Sequence, residues 1–230
     1  MDWRANCAAV IPCLNENTTI ATLVRSVSGY VKAVYVVDDG SNDGTGESAL
    51  RAGAHVVRHA INQGKGAALR TGWEEAKKTG YIWALTLDGD GQHSPDDIPD
   101  FFERAESSSV ALVVGNRMMK AAEMPRLRRF VNQWMSRRLS RVAHQELPDS
   151  QCGFRLINLD VLARLPIGTS HFEIESEVLL GFVKAGYKVE FIPIQVIYKT
   201  EQSKIQPLRD AVRWFRWWQG AKRWSGDGQR

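Results

Sequence analysis

Asp88 and Asp90 are two carboxylates separated by a single glycine in the run Leu87-Asp88-Gly89-Asp90-Gly91-Gln92-His93. Hard divalent cations such as Mg²⁺ and Mn²⁺ take oxygen ligands and commonly bridge to a substrate diphosphate. A glycine-rich turn carrying two carboxylates suits that chemistry, because glycine lets the backbone come close to phosphate. The spacing lacks the further ligands of a calcium-binding EF-hand loop. A second acidic turn, Val36-Val37-Asp38-Asp39-Gly40-Ser41-Asn42-Asp43-Gly44-Thr45, could accept hydrogen bonds from a nucleobase N–H or from ribose hydroxyls. Ser41, Asp43 and Thr45 would serve equally well as a turn and helix cap.

Both turns fall at positions that the surrounding elements make meaningful. Ala8 to Cys13 is a short apolar strand, and Thr18 to Tyr30 has helical spacing of Ile20, Leu23, Val24 and Val27. Ala33 to Val37 is a strand, Gly44 to Ala52 a helix and Ala54 to Val57 a strand. Gly66 to Thr79 reads as a helix, Tyr81 to Leu87 as a strand, Pro95 to Ser107 as a helix opened by Ser94, and Val110 to Gly115 as a strand. Strands alternating with helices predict an α/β domain with a mainly parallel sheet flanked by helices. In such sheets ligands bind beyond the carboxyl ends of the strands. Asn15-Glu16, Asp38-Asp39 and Asp88 to Asp90 all stand there. Further on, a long basic helix is predicted over Pro125 to Gln145 and a last one over Pro207 to Trp224, with a mixed segment from Asp149 to Tyr198 between them. The expected division is a catalytic domain over 1–206 and a basic, Trp-rich helix and tail over 207–230.

A chain of 230 residues with 43% hydrophobic and 24% charged residues excludes a disordered or fibrous protein. No apolar run approaches the ~18 residues of a membrane-spanning helix. No leader reads at the N-terminus, and three cysteines without metal spacing predict a reducing, cytoplasmic setting. The net charge of +4 is uneven: Arg117 to Arg141 carries +7 and Lys204 to Trp224 carries +5, so the remaining residues carry −8. An acidic body with two cationic segments predicts an anionic partner. Nucleic acid is disfavoured by the acidic body and the intact Asp-x-Asp turn. A nucleotidyltransferase is disfavoured because Pro12 to Glu16 is not a glycine-rich basic loop.

Five further stretches complete a pattern. Pro12-Cys13-Leu14-Asn15-Glu16, Asn62-Gln63-Gly64-Lys65-Gly66, Gly115-Asn116-Arg117, Asp149-Ser150-Gln151-Cys152-Gly153-Phe154-Arg155 and Ser203-Lys204, together with the two acidic turns and in this order, resemble family 2 glycosyltransferases. The resemblance is to the dolichol-phosphate mannosyltransferase-like, or polyprenyl-phosphate glycosyltransferase, branch. It implies the GT-A fold, a Rossmann-like nucleotide-diphospho-sugar transferase. It also implies residue roles. Pro12, Leu14, Glu16, Val37 and Asp38 or Asp39 would line the nucleotide pocket. Asp88, Gly89, Asp90 and Gln92 would meet the metal and diphosphate. Arg117 would hold an acceptor or product phosphate, Lys204 would sit near the donor diphosphate, and Asp90, Arg117, Asp149, Arg155 and Glu175 are the catalytic candidates. Cys152 replaces the family's usual hydroxyl residue, and Tyr198 and Lys199 stand where the family carries an arginine. Lys65 does not belong to a Walker loop, because no Gly-Lys-Ser/Thr follows, and is instead a candidate for a phosphate contact in a tight turn.

Two acceptors remain open at this level. A lipid phosphate is ionised near neutral pH and needs positioning rather than a base, whereas a hydroxyl needs one. Asp149, Glu173 or Glu175 could supply it. Arg126, Arg128, Arg129, Arg137, Arg138 and Arg141 punctuate one basic helix, and Trp214, Trp217, Trp218 and Trp224 form a stripe in the other. Trp beside Arg suits the headgroup level of a bilayer. The expectation is peripheral contact with an anionic membrane at its inner face. Packing on the domain, or on a second copy in a homodimer, is the competing role for the stripe.

Overall fold

The computed structural model describes residues 1–119, 124–197 and 207–223, with side chains of the last helix over 212–220. The elements run α1 (Trp3–Asn6), β1 (Cys7–Cys13), α2 (Ile20–Val27), β2 (Ala33–Asp38), α3 (Thr45–Arg51), β3 (His55–Arg58), α4 (Lys65–Lys78) and β4 (Trp83–Thr86). After a 3₁₀ turn at Pro95–Asp97 come α5 (Ile98–Ser108), β5 (Leu112–Asn116), α6 (Arg126–Ala143), β6 (Arg155–Asn158), α7 (Leu159–Leu162), α8 (Ile174–Lys184), β7 (Val189–Pro193) and α9 (Pro207–Arg223).

Seven strands form one sheet in the order β3-β2-β1-β4-β6-β5-β7. All pairings are parallel except those of β6, which runs against both β4 and β5. Every residue of β1 and β2 is buried, as expected where helices cover both faces of a parallel sheet. Ile20, Leu23, Val24 and Val27 form the buried stripe of α2 that their spacing predicts. Chain order reverses at β1, with β2 on one side and β4 on the other. That switch point opens a crevice at the carboxyl ends of these three strands, and both acidic turns stand at it.

Sequence periodicity does not reveal β6. The mixed segment threads this strand antiparallel between β4 and β5, with Thr86 opposite Arg155. Antiparallel register carries a consequence two residues further along each strand: Asp88 and Gly153 must come together. The later motif is thereby delivered to the Asp-x-Asp turn.

The C-terminal helix corrects the expected tryptophan role. Trp214 and Trp218 are buried, stacked on each other at 5.3 Å, and Trp214 Nε1 donates to Ser176 Oγ of α8 at 3.0 Å. The Trp214/Trp218 side is therefore packing on the domain rather than a lipid-facing surface. Trp224 lies outside the described residues. On these two basic helices the exposed apolar side chains are Val212 and Phe215 of α9 and Leu127, Phe130 and Val131 of α6, beside the half-exposed Trp134. The arginine-studded α6 turns Asn132, Ser136 and Leu139 inward, with Ser136 Oγ bonded to Ser150 Oγ and N. Arg138 covers the Trp134 ring at 4.3 Å. No described helix is long and apolar enough to cross a membrane.

Candidate active site

The floor of the crevice is the turn after β1. Pro12 is buried, and Leu14 and Glu16 are partly exposed at its rim. Asn15 adopts φ 52° and its N donates to Ser41 Oγ at 2.9 Å, while Glu16 N donates to Thr45 Oγ1 at 2.8 Å. The two turns thus brace each other through hydroxyls that sequence reading assigns only to capping.

Asp38 and Asp39 are buried and spent on protein partners. Asp38 Oδ1 accepts from Ser41 N at 2.8 Å, and Oδ2 faces Arg58 Nε at 3.4 Å. Asp39 faces His59 Nδ1 at 2.7 Å and accepts from Gln63 N and Gly64 N at 2.9 and 2.8 Å. Val37 is buried behind them. The second acidic turn therefore shapes the Asn62–Gly66 loop, a link that spacing alone does not disclose.

That loop fixes Lys65, the first residue of α4. Lys65 Nζ stands 2.5 Å from Asp88 Oδ1 and 2.6 Å from Glu175 Oε1, with the Phe172 ring 5.7 Å away. Burial disfavours the ammonium, but Asp88 and Glu175 outweigh it and raise its pKa above the ordinary lysine value. Burial likewise pushes the Asp88 carboxyl up, but Lys65, His93 and Arg117 hold it well below the usual carboxylate range. Asp88 is ionised at neutral pH. His93 is buried, stacks on Phe154 at 5.2 Å, and receives the Asp88 N–H at Nδ1 over 3.3 Å. Burial lowers its pKa despite Asp88 and Asp90, which suits a neutral imidazole accepting that bond.

Asp90 is partly exposed, and its Oδ1 accepts from Gln92 N at 3.0 Å. Gly89 O accepts from Thr19 Oγ1 at 2.7 Å, tying the turn to the start of α2. Gln92 is partly buried, and its carbonyl accepts from Ile197 N at 2.9 Å. Among the described residues, no three His, Cys, Asp or Glu side chains converge as a complete cation cage. Asp88 and Asp90 nevertheless fit a divalent cation that completes its shell with substrate oxygens and water, as Mg²⁺ usually does. Asp88 Oδ1 already holds a positive charge, the Lys65 ammonium, at a partly buried position.

Arg117 and Asp149 form a buried fork. Nε and Nη2 of Arg117 donate to Asp149 Oδ2 and Oδ1, each at 2.8 Å, and Arg117 N donates to Oδ2 at 3.1 Å. Nη1 takes no part in the fork. Burial raises the Asp149 carboxyl, but Arg117 overcomes this and holds it below its ordinary pKa. Arg155 is buried and donates only to backbone: Cys152 O at 2.8 Å, Glu175 O at 2.7 Å and Ser150 O at 3.0 Å. It fastens the 149–155 motif to the start of α8. Cys152 beside it is buried, which pushes its thiol up to about 12 and keeps it protonated. Glu175 is buried at the start of α8, and its Oε2 has no hydrogen-bond partner. Lys204 lies outside the described residues.

The site thus brings together Lys65, Asp88, Asp90, Arg117, Asp149, Arg155 and Glu175. Sequence reading leaves out Gly153. A Cβ there would stand 2.7 and 2.8 Å from the two Asp88 oxygens. Gly153→Ala is expected to displace the Asp88 carboxylate and weaken Mn²⁺ binding by about 10–100-fold. Isothermal titration checks this, with circular dichroism expected to stay native.

A mostly parallel sheet with one reversed strand, its acidic turns converging at the switch point, is the arrangement of a ligand-binding α/β domain. The sequence profile described as Glycosyl transferase family 2 matches residues 8–165, and the chain belongs to that family. It is 30% identical over 217 residues to a UDP-N-acetylglucosamine–dolichyl-phosphate N-acetylglucosaminyltransferase of Methanococcus voltae, covering 84% of this chain and 86% of that one. It is 26% identical over 234 residues to an undecaprenyl-phosphate mannosyltransferase of Micrococcus luteus, covering 94% and 95%. The fold superposes with a TM-score of 0.71 on glucosyl-3-phosphoglycerate synthase of Mycobacterium tuberculosis, solved with Mn²⁺, UDP-glucose and phosphoglyceric acid. That match has 20% identity and covers 95% of this chain and 79% of that one. The resemblance read from the sequence, to family 2 and its polyprenyl-phosphate branch, is borne out, and the protein is a glycosyltransferase.

Proposed function

We propose that the protein transfers a sugar from a UDP- or GDP-sugar to a polyprenyl phosphate, with inversion at the anomeric carbon and with a divalent cation bound. The observation that carries the acceptor is the state of the buried carboxylates. Asp149 is held by Arg117 and Glu175 by Lys65, so the site presents charge control rather than a poised base. The polyprenyl-phosphate acceptors in the names of the relatives support the same reading.

In this reading an acceptor phosphate oxygen attacks the anomeric carbon as the bond to the nucleotide diphosphate breaks. The nucleophile is already ionised, so no proton has to be removed. The cation would be held by Asp88 and Asp90, with Gln92 at the edge of the turn, and supplies Lewis-acid stabilisation of the leaving diphosphate. Pro12, Leu14, Glu16 and Val37 form the nucleotide wall, and Asp38 and Asp39 set its shape. Arg117, oriented by Asp149, presents Nη1 to the acceptor phosphate, and Arg155 keeps that loop in place. The family resemblance assigns Lys204 to the donor diphosphate. A hydroxyl acceptor with Glu175 as base is the second reading, favoured by the lack of a partner at its Oε2.

The acceptor would arrive from a membrane surface. We assign that contact to Leu127, Phe130 and Val131 of α6 and Phe215 of α9, flanked by Arg126, Arg128, Arg129 and Arg216. Apolar side chains among arginines suit an interfacial helix, and each cation near an anionic surface adds about 1 kcal/mol. Flotation with vesicles containing anionic lipid is expected to carry the protein upward, and Phe130→Glu is expected to reduce the floating fraction. A protein that stays at the bottom with such vesicles contradicts the assignment. A thermal-shift screen of UDP, GDP and their sugars with Mn²⁺ identifies the donor, with the cognate nucleotide stabilising only alongside the cation.

A further inference from the structure

We propose that Lys65 is the resident counter-cation of the carboxylate pocket: its ammonium occupies the place at Asp88 that a divalent cation takes, and binding of that cation moves it onto Glu175. This rests on the reading of Asp88 and Asp90 as the cation ligands.

Lys65 is badly placed for any role in its own helix. It is the first residue of the 14-residue α4, where the helix dipole disfavours a positive charge. The surroundings nonetheless hold it there. Asp39 Oδ2 accepts from Gly64 N. Gly64 has φ 99°, and a Cβ on it would collide with His171 Nδ1 at 2.0 Å. Ala67 N donates to Ser170 O at 3.1 Å. The N-terminus of α4 is clamped against the loop before α8, and Lys65 is aimed between two carboxylates.

Those carboxylates differ in what else they can do. Asp88 sits in the turn with Asp90 and is partly exposed, so a cation can reach it. Glu175 is 4% exposed and carries an oxygen with no hydrogen-bond partner. It therefore has spare acceptor capacity for an ammonium that leaves Asp88. A divalent cation and an ammonium cannot share Asp88 Oδ1 at contact distance without strong mutual repulsion, and both would lose the carboxylate's charge to the other. Glu175 gives the displaced ammonium a destination inside the site, so the charge of Lys65 is retained close to the donor diphosphate. The pair Lys65–Glu175 then sets how tightly the site takes a cation.

The test is Mn²⁺ alone, titrated into the full chain without nucleotide and followed by loss of the free-Mn²⁺ paramagnetic resonance signal. Lys65→Met is expected to bind Mn²⁺ about tenfold tighter than the unaltered protein or better, Lys65→Arg to stay near it, and Lys65→Met with Asp90→Asn to lose the gain. A folded Lys65→Met protein with unchanged or weaker Mn²⁺ affinity overturns the proposal. Should the circular dichroism of Lys65→Met be non-native, Lys65→Met with Glu175→Gln removes the stranded carboxylate and decides by the same criteria. If Asp90→Asn alone leaves Mn²⁺ binding unchanged, the cation reading itself fails. If Asp90→Asn abolishes binding and Lys65→Met gives no gain, only the role of Lys65 fails.

Discussion

Replacing Asp90 by asparagine is expected to reduce sugar transfer by roughly 10²–10³-fold, the size of effect seen when a single group stabilising developing charge is removed. The side chain is partly exposed, and its described bond is to Gln92 N, a contact that asparagine can still accept. The fold should barely register the change, with stability altered by about 0.5 kcal/mol or less. A steady-state assay at saturating Mn²⁺ beside a thermal melt separates the two effects. A variant that keeps its rate would contradict the role of Asp90 in holding the cation.

Asp149→Asn should do the reverse and strike stability first. Its carboxylate receives two guanidinium bonds and a backbone bond from Arg117, with both residues buried. Removing one partner of a buried pair strands the other charge and costs about 3–5 kcal/mol. For a chain of this size each kcal/mol moves the melting temperature by about 2–4 °C. Arg117→Leu with Asp149→Leu should recover much of the stability and none of the activity, because both charges then leave together. The pH dependence follows from the depressed Asp149 pKa. Its contribution is fully present above the unfolded value near 3.9 and is lost as pH falls through the lower folded value. The melting temperature of the unaltered protein should therefore fall more steeply below about pH 4 than that of Asp149→Asn.

The contrast between these residues shows what local sequence can carry. The βα units up to β5 were legible because apolar runs, helical stripes and polar turns are local signals, and the stripe of α2 appears in the structure as its spacing required. The placement of Asp88 and Asp90 followed from the rule that parallel sheets bind at their carboxyl ends. The antiparallel β6 was not legible, because its four residues carry no periodicity and its partners are distant in sequence. With it went the approach of Gly153 to Asp88. The Lys65 bridge was hidden for the same reason, since it joins three segments that only the fold brings together. The tryptophans of α9 misled because a stripe of aromatic residues reports that a helix face is covered and not by what. Burial of Trp214 and Trp218 identifies the domain itself as that cover.

Transfer from the cognate nucleotide sugar to polyprenyl phosphate, measured beside transfer to the same polyprenol without its phosphate, tests the acceptor assignment most directly. The expected product is a polyprenyl-phosphate sugar, formed with Mn²⁺ or Mg²⁺ and absent when the alcohol is offered. Equal or faster transfer to the free alcohol would contradict the phosphate acceptor and place a base, with Glu175 foremost, at the centre of the chemistry.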